Sequence, residues 1–504
     1  MNKKAVVYNL IGNVLVYLCT LLVNFILSPY IVEMLGVEAY GYVQLANNFI
    51  GYISIVTIAL TSMAGRFVSI ELFKKDYEKA NIYFNSVFYA TLVLTAVLGT
   101  LSILLITLLD KFLIIPGKLV WDVKIMFFMV FAAFYCGLIL TVYSVGLFVE
   151  NKIYIRAKRN IESAIIRAVL LLGVYYLFRA RLYYLGVLNL FVNLYVSLWN
   201  VHYTHKYLPN LQISRKYLKK NAILEIISSG VWNSISQLSS VLNEGLDLII
   251  TNLFIGATEM GILSIAKMIP NTLMALLSNL GEPFMPKMTE AYAKGESKAI
   301  KEIFNYGSKV IGFVMSIPIS GFIVLGDVFF KLWQPTQDKH LLHMLAIISI
   351  LNLILSCSTS IIYGVFTVAN KIKLNSIIGI SVGFLNCGLV FVLLKHTDLG
   401  IFAVAGVSVC TAIIRNLVFT FPYGARCAGL KWYEFYGAAF RTVCSVLCMT
   451  LFFLMLKYLY TPNSWFDFSI IALICAVIGA FVNWWLLFNR DDRMSFLNGV
   501  KEKI

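Results

Sequence analysis

The sequence predicts an all-α polytopic membrane protein of about fourteen transmembrane helices, organised as six plus six plus two. Three observations carry that prediction. The 504 residues are 60% hydrophobic and only 13% charged, with mean hydropathy +0.82, whereas soluble domains carry about 25% charged residues. Apolar runs of about 20 residues, enough to cross a ~30 Å hydrocarbon layer, recur along the whole chain. The chain also echoes itself, the segment around 35–41 returning at 255–261.

In order, the runs lie near 6–28, 42–64, 86–109, 125–148, 161–178, 183–201, 222–251, 258–281, 306–327, 341–367, 374–394, 399–421, 434–458 and 466–488. The first follows "MNKK" directly and lacks a small-residue cleavage site, so it reads as a retained span. The pairs parted by "RAR" (179–181) and "KHTDLG" (395–400) are each read as two spans, since fusing either would invert everything after it. With both termini cytoplasmic, 28 of the 41 Lys and Arg fall in inner segments and 9 in outer ones, the bias of the positive-inside rule. The net charge of +16 is thus mostly a topology signal. Nucleic acid is not an expected partner, because the basic residues lie in short loops without a stacking platform.

Nine cysteines form no Cys-x-x-Cys pair and read as small packing residues. His202-x-x-His205 and His340-x-x-His343 sit at span boundaries with no nearby third ligand, so no metal site is expected.

"LGVEAYG" (35–41) and "IGATEMG" (255–261) anchor the repeat. Gly36 and Gly41 align with Gly256 and Gly261, Asn13 with Asn233, Leu22 with Leu242, Ala46 with Ala266, Lys74 with Lys294, and Phe84-Asn85 with Phe304-Asn305, without a gap. Six spans separate the copies. An even number makes the repeats parallel, related by an axis along the membrane normal with a shared site between them. The expected division is an N-lobe at 1–205, a basic cytoplasmic linker at 206–221, a C-lobe at 222–425, and two further spans with a basic tail at 426–504.

Polar residues pick out the walls of that site. In span 7, Asn233, Gln237, Ser240, Glu244 and Asp247 share one helical face. Span 1 carries a weaker stripe of Asn13, Tyr17, Thr20 and Asn24; span 2 has Gln44, Asn47, Asn48, Ser54 and Thr61; span 8 has Ser264, Lys267, Asn271, Ser278 and Glu282. Charges inside a bilayer cost ~2.5–3.5 kcal/mol on insertion scales and tend to face cavities. Arg66, Arg167 and Lys267 are the cationic candidates, and Glu244, Asp247 and Glu282 the acidic ones. Pro270, one turn after Lys267, removes a backbone donor and is a candidate hinge.

"LGVEAYG", a polar second span ending in "MAGRFVSIEL", then "KKDYEKAN", and the closing "NRDDRMSFLNGVKEK" resemble the oligosaccharide flippase family. This family belongs to the multidrug/oligosaccharidyl-lipid/polysaccharide exporter superfamily. The resemblance implies two six-helix lobes in a V around a cavity lined by spans 1, 2, 7 and 8. It also implies transfer of an undecaprenyl-diphosphate-linked oligosaccharide from the inner to the outer leaflet of a bacterial plasma membrane by alternating access. On that reading Arg66, Arg167 and Lys267 hold the diphosphate, while Asn13, Asn24, Gln44, Asn47, Asn233, Gln237 and Asn271 line the cavity. The partners are then membrane lipid, the lipid-linked oligosaccharide and polysaccharide assembly enzymes.

No phosphate-binding Gly-x-x-x-x-Gly-Lys-[Ser/Thr] is present. No cofactor is expected beyond a coupling ion, H⁺ or Na⁺, for which Glu244, Asp247 and Glu282 are the candidates. The alternatives are a lipid II flippase or a drug exporter of the same superfamily, and, from another class, a membrane glycosyltransferase or polymerase. Outer loops of about fifteen residues or fewer argue against an enzyme.

Overall fold

The computed structural model describes residues 3–369, 371–490 and 493, without the side chains of residues 3–11 and 13. The Asn13 side chain and most of the basic tail therefore lie outside what is described. Among those described, every regular element is helical. In chain order these are α1 (Lys3–Leu35), α2 (Val37–Phe73), α3 (Tyr77–Thr107), α4 (Leu109–Phe112), α5 (Val120–Leu140), α6 (Val145–Val149), α7 (Ile153–Leu177), α8 (Tyr183–Tyr207), α9 (Lys220–Ser240) and α10 (Asp247–Phe254). They continue as α11 (Ala257–Ala266), α12 (Met268–Gly281), α13 (Met285–Ala293), α14 (Ser297–Trp333), α15 (Lys339–Val368), α16 (Ile372–His396), α17 (Ile401–Arg415), α18 (Phe421–Cys427), α19 (Tyr436–Leu459) and α20 (Trp465–Leu486).

Among the described residues, thirteen helical stretches are long and apolar enough to cross a membrane. Each corresponds to one of the expected runs, and both doubtful pairs are separate helices. The expected seventh run is different. It is divided into α9 and α10 by a π turn, Val241–Gly245, and its polar stripe makes it less apolar than the rest.

The helices outrun the apolar segments at the ends that loop charge assigns to the inner side. The stretch expected as a loop at 66–84 is mostly helix, closed by a three-residue turn. There the N–H groups of Lys74, Lys75 and Asp76 donate to the carbonyls of Ile70, Leu72 and Glu71. At the matching positions of the second repeat, the N–H groups of Lys294, Gly295 and Glu296 donate to Glu290, Tyr292 and Ala291. Lys75 and Gly295 both turn left-handed, at φ 63° and 71°, the usual way to end a helix on its own carbonyls. A second echo joins α6 to α7: Glu150 and Lys152 donate to Gly146 and Leu147, as Ala369 and Lys371 do to Val365 and Phe366. The tripeptide Asn-Lys-Ile accompanies it at 151–153 and 370–372.

The chain forms two compact units, Met1–Ile262 and Leu263–Ile504. The linker 206–221 lies inside the first. In that unit α2 is the spine, packed on α3, α5 and α9. Leu60, Ala64 and Val68 of α2 join Phe84, Tyr143 and Ile226 in one buried cluster. In the second unit α14 and α15 hold the core with α19, and the Phe304 and Phe435 rings pack with centres 3.9 Å apart. Helix α20 is fastened to α14 by the fully buried Asn483. Its amide donates to Ser316 Oγ at 2.6 Å and accepts from Ser445 Oγ at 2.6 Å.

Candidate functional site

The polar stripe of span 7 faces α2 over two stretches. At Gly230 the two backbones approach so closely that an added Cβ would collide with the Ala59 carbonyl oxygen. One turn further on, the Asn233 amide donates to Ser62 Oγ at 2.9 Å. Where the helix breaks after the π turn, the Gly245 carbonyl accepts from Tyr52 Oη at 2.6 Å and from Asn48 Nδ2 at 3.2 Å. A π turn displaces the regular ladder, and such turns are frequent at functional sites. Here α2 supplies the missing donors.

This break positions the two acids of the stripe differently. Asp247 becomes the first residue of α10 and is 2% exposed, a place where the positive helix end favours a carboxylate. Glu244 projects from the π turn and is exposed. Gln237 is half-buried between them and Asn233.

At the opposite end of α2, the bracketing glycines of the two repeats meet. A Cβ on Gly41 would lie 2.8 Å from Gly261 Cα, and one on Gly261 would strike the Val37 carbonyl. Beside them Thr258 Oγ1 donates to Glu38 Oε1 at 2.8 Å, a bond between repeat-matched positions. The segment between α4 and α5 is pinned to this end: Asn252 Oδ1 accepts from the Ile114 N–H at 2.9 Å, and the Ile114 carbonyl accepts from Asn252 Nδ2 and Tyr42 Oη.

Of the cationic candidates, Arg167 projects from α7 toward α1 and donates through Nη2 to Asn24 Oδ1 at 2.6 Å. It stands ten residues before the end of α7, about 15 Å along the helix axis. Arg66 is exposed on α2, one turn beyond Ser62, with no ion pair among the described residues. On the same helix Gln44 is half-buried and Asn47 exposed.

In the second unit, Lys267 occupies the break between α11 and α12. The buried Pro270 explains the break: it has no N–H for the Ala266 carbonyl four residues back, and its ring crowds that oxygen. The Asn271 N–H restarts the ladder on the Lys267 carbonyl at 3.0 Å, with its side chain exposed. Glu282 is exposed at the start of a second interruption, a 3₁₀ turn over Glu282–Phe284.

Some polar groups escaped the sequence reading. Tyr52 counts as apolar in a hydropathy window and gave no signal. Arg159, read as a loop charge, pairs with Glu162 at 2.6 Å, donates to the Tyr195 and Tyr203 hydroxyls, and lies 3.9 Å over the Trp199 ring. The spacing of Tyr195, Trp199 and Tyr203 along one face of α8 was the available signal.

Residues 6–292 match the family described as polysaccharide biosynthesis protein. The chain belongs to that family. A curated relative, the uncharacterized membrane protein EpsK of Bacillus subtilis (strain 168), is 24% identical over 427 residues, covering 85% of this chain and 84% of EpsK. Among solved structures, the lipid II flippase MurJ in an inward closed conformation superposes with TM-score 0.68 at 14% identity, over 96% of this chain and all of MurJ. An inward-facing multidrug resistance MATE family transporter of the MOP superfamily gives TM-score 0.66 at 16% identity, over 82% of this chain and 94% of its own. This family member therefore shares the all-helical fold of those two proteins.

Proposed function

We propose that the protein flips an undecaprenyl-diphosphate-linked oligosaccharide, the repeat unit of a cell-surface polysaccharide, from the inner to the outer leaflet of the bacterial plasma membrane. It does so by alternating access, with both termini cytoplasmic, as a transporter and not an enzyme. Family membership and the shared transporter fold support the reading. The observation that carries it is Arg167. This cation sits deep within a span and is held by a neutral amide, whereas Arg159, Arg181 and Lys457 are each bonded to a carboxylate. A guanidinium oriented but not neutralised suits a diphosphate that must be held and then released.

In this reading Arg66 and Lys267 assist Arg167, and Asn24, Gln44, Asn47, Asn233, Gln237 and Asn271 wet the sugar's path while the lipid tail stays in the bilayer. Pro270 supplies the hinge, and Glu244, Asp247 or Glu282 couples movement to an ion gradient. Depletion of the protein followed by lipid extraction tests the cargo. One undecaprenyl-linked oligosaccharide should accumulate on the inner leaflet. Normal levels of every lipid-linked sugar, with drug sensitivity instead, would overturn the proposal. Coupling is tested by neutral substitutions at all three acids, and transport with unchanged gradient dependence would exclude them.

A further inference from the structure

The linker 206–221, expected as a basic cytoplasmic connection, is not a loose loop. After α8 it runs along the first three turns of α3, extended at 211–214 and then coiled in a 3₁₀ turn over Arg215–Tyr217, and is bonded to three side chains of that helix. Asn81 donates to the Asn210 carbonyl and accepts from the Gln212 N–H, both at 2.9 Å. Asn85 donates to the Gln212 carbonyl and accepts from the Ser214 N–H, both at 2.8 Å. Ser86 Oγ bonds the Lys219 N–H at 3.1 Å and its carbonyl at 3.3 Å. The register has a simple origin. Four residues of helix rise about 6 Å, and two residues of extended chain rise about 6.6 Å, so amides one helical turn apart pair with alternate linker residues.

This strap walls a cavity of about 710 Å³, within the ~300–1,000 Å³ range of small-molecule sites. Tyr77, Asn81, Gln212, Lys216, Tyr217 and Lys219 supply most of its polar lining, with Ile82 and the carboxylate of Glu78. Lys216 lies 4.6 Å over the Tyr217 ring, and neither Lys216 nor Lys219 has an ion pair among the described residues. The second repeat gives an internal comparison. In the repeat register Asn81 and Asn85 correspond to Lys301 and Asn305. Lys301 is paired to Glu434 at 2.5 Å, and Asn305 accepts from Arg441 at 2.9 Å. There the lysine at the Asn81 position is paired within the fold, whereas the two strap lysines of the first repeat line an open cavity.

We propose that this strap cavity binds a phosphate-bearing ligand on the side that loop charge assigns to the cytoplasm. The two ammonium groups take the phosphates as point charges, and the tyrosine faces take an attached ring or stem. Either a soluble nucleoside diphosphate or the headgroup of an anionic phospholipid has this chemistry. A ligand here would staple the linker to α3, a form of control separate from the transport path.

The test uses the full chain in detergent, titrated with uridine diphosphate and with inorganic pyrophosphate, and in vesicles with and without phosphatidylglycerol. Saturable binding of a soluble probe identifies a soluble source. Binding that needs phosphatidylglycerol identifies the headgroup. In either case Lys216→Gln/Lys219→Gln should weaken binding roughly tenfold or more, as loss of charge-assisted bonds does. Lys298→Gln/Lys371→Gln, which removes equal charge elsewhere, should not. These lysines are exposed, so both variants should melt like the parent chain. Absence of saturable binding to any probe, or equal weakening in both double variants, would overturn the proposal.

Discussion

At the residue scale, the side chains divide by how their charge is met. Arg167 was legible because an arginine inside an apolar run is costly, ~2.5–3.5 kcal/mol on insertion scales, and needs a reason. Its partner Asn24 was visible only as one member of a weak stripe, since nothing in the sequence says that α1 and α7 lie side by side. Arg167→Gln should abolish flipping in reconstituted vesicles, while Arg167→Lys, which keeps charge but loses the forked donor, should retain part of it. Equal activity of Arg167→Gln and the parent would remove Arg167 from the transport path. Outside the membrane, Asp76 caps α3. The Lys79 N–H, then the charges of Lys79 and Lys74, hold its carboxyl below the usual carboxylate range. A depressed folded pKa stabilises above the unfolded value of about 3.9 and is lost as pH falls through the lower folded value. Asp76→Asn keeps the neutral part of the cap but not the charge, so it should lower the neutral-pH plateau slightly and thereby flatten the acid end of a melting-temperature profile.

At the element scale, the apolar runs located nearly every span but not where the helices end. Hydropathy sees only the apolar part of each helix, and the extensions of α2, α3 and α14 beyond their apolar runs are too polar to register. The break in span 7 was likewise invisible. A π turn inserts one residue into the ladder without requiring Gly or Pro, and the stripe Asn233–Gln237–Ser240–Glu244–Asp247 reads as one unbroken face. What stabilises the break lies on another helix. Tyr52→Phe removes one of two donors to the Gly245 carbonyl and should cost about 0.5–1.5 kcal/mol, seen as a lower denaturation midpoint. Adding Asn48→Ala should cost more than the sum of the two single changes, because the carbonyl is then left unsatisfied. At the other crossing, Gly230→Ala should cost about 1–3 kcal/mol, since the obstacle is the backbone of Ala59, which has little room to give.

At the scale of the whole molecule, the repeat was the most informative sequence signal. It recurs in the structure as matched hydrogen bonds at 74–76 and 294–296, and as a left-handed residue at the same place in each. The similar echo at 151–153 and 370–372 falls a single position short of that register. A deletion between the two echoes puts the later one out of step with an ungapped alignment, which is why the first register does not reach it. Pairing of the two glycine-bracketed turns can be tested directly. Glu38→Cys with Thr258→Cys should crosslink within one chain under mild oxidation, as these side chains already share a hydrogen bond. Protection of both thiols without a crosslink would argue against the contact.

That contact bears on how the repeats came to differ. A position that meets its own repeat-mate lies on the axis relating them, and in a symmetric pair of identical subunits the same residue would face itself. Glutamate facing glutamate would repel, and threonine facing threonine could not pair with a carboxylate. The Glu38–Thr258 bond has a donor on one side and an acceptor on the other, a division of labour that two identical copies cannot make. Within one chain the two positions are free to differ, while Gly41 and Gly261 share a residue because a Cβ on the first would meet the Gly261 backbone and one on the second the Val37 carbonyl.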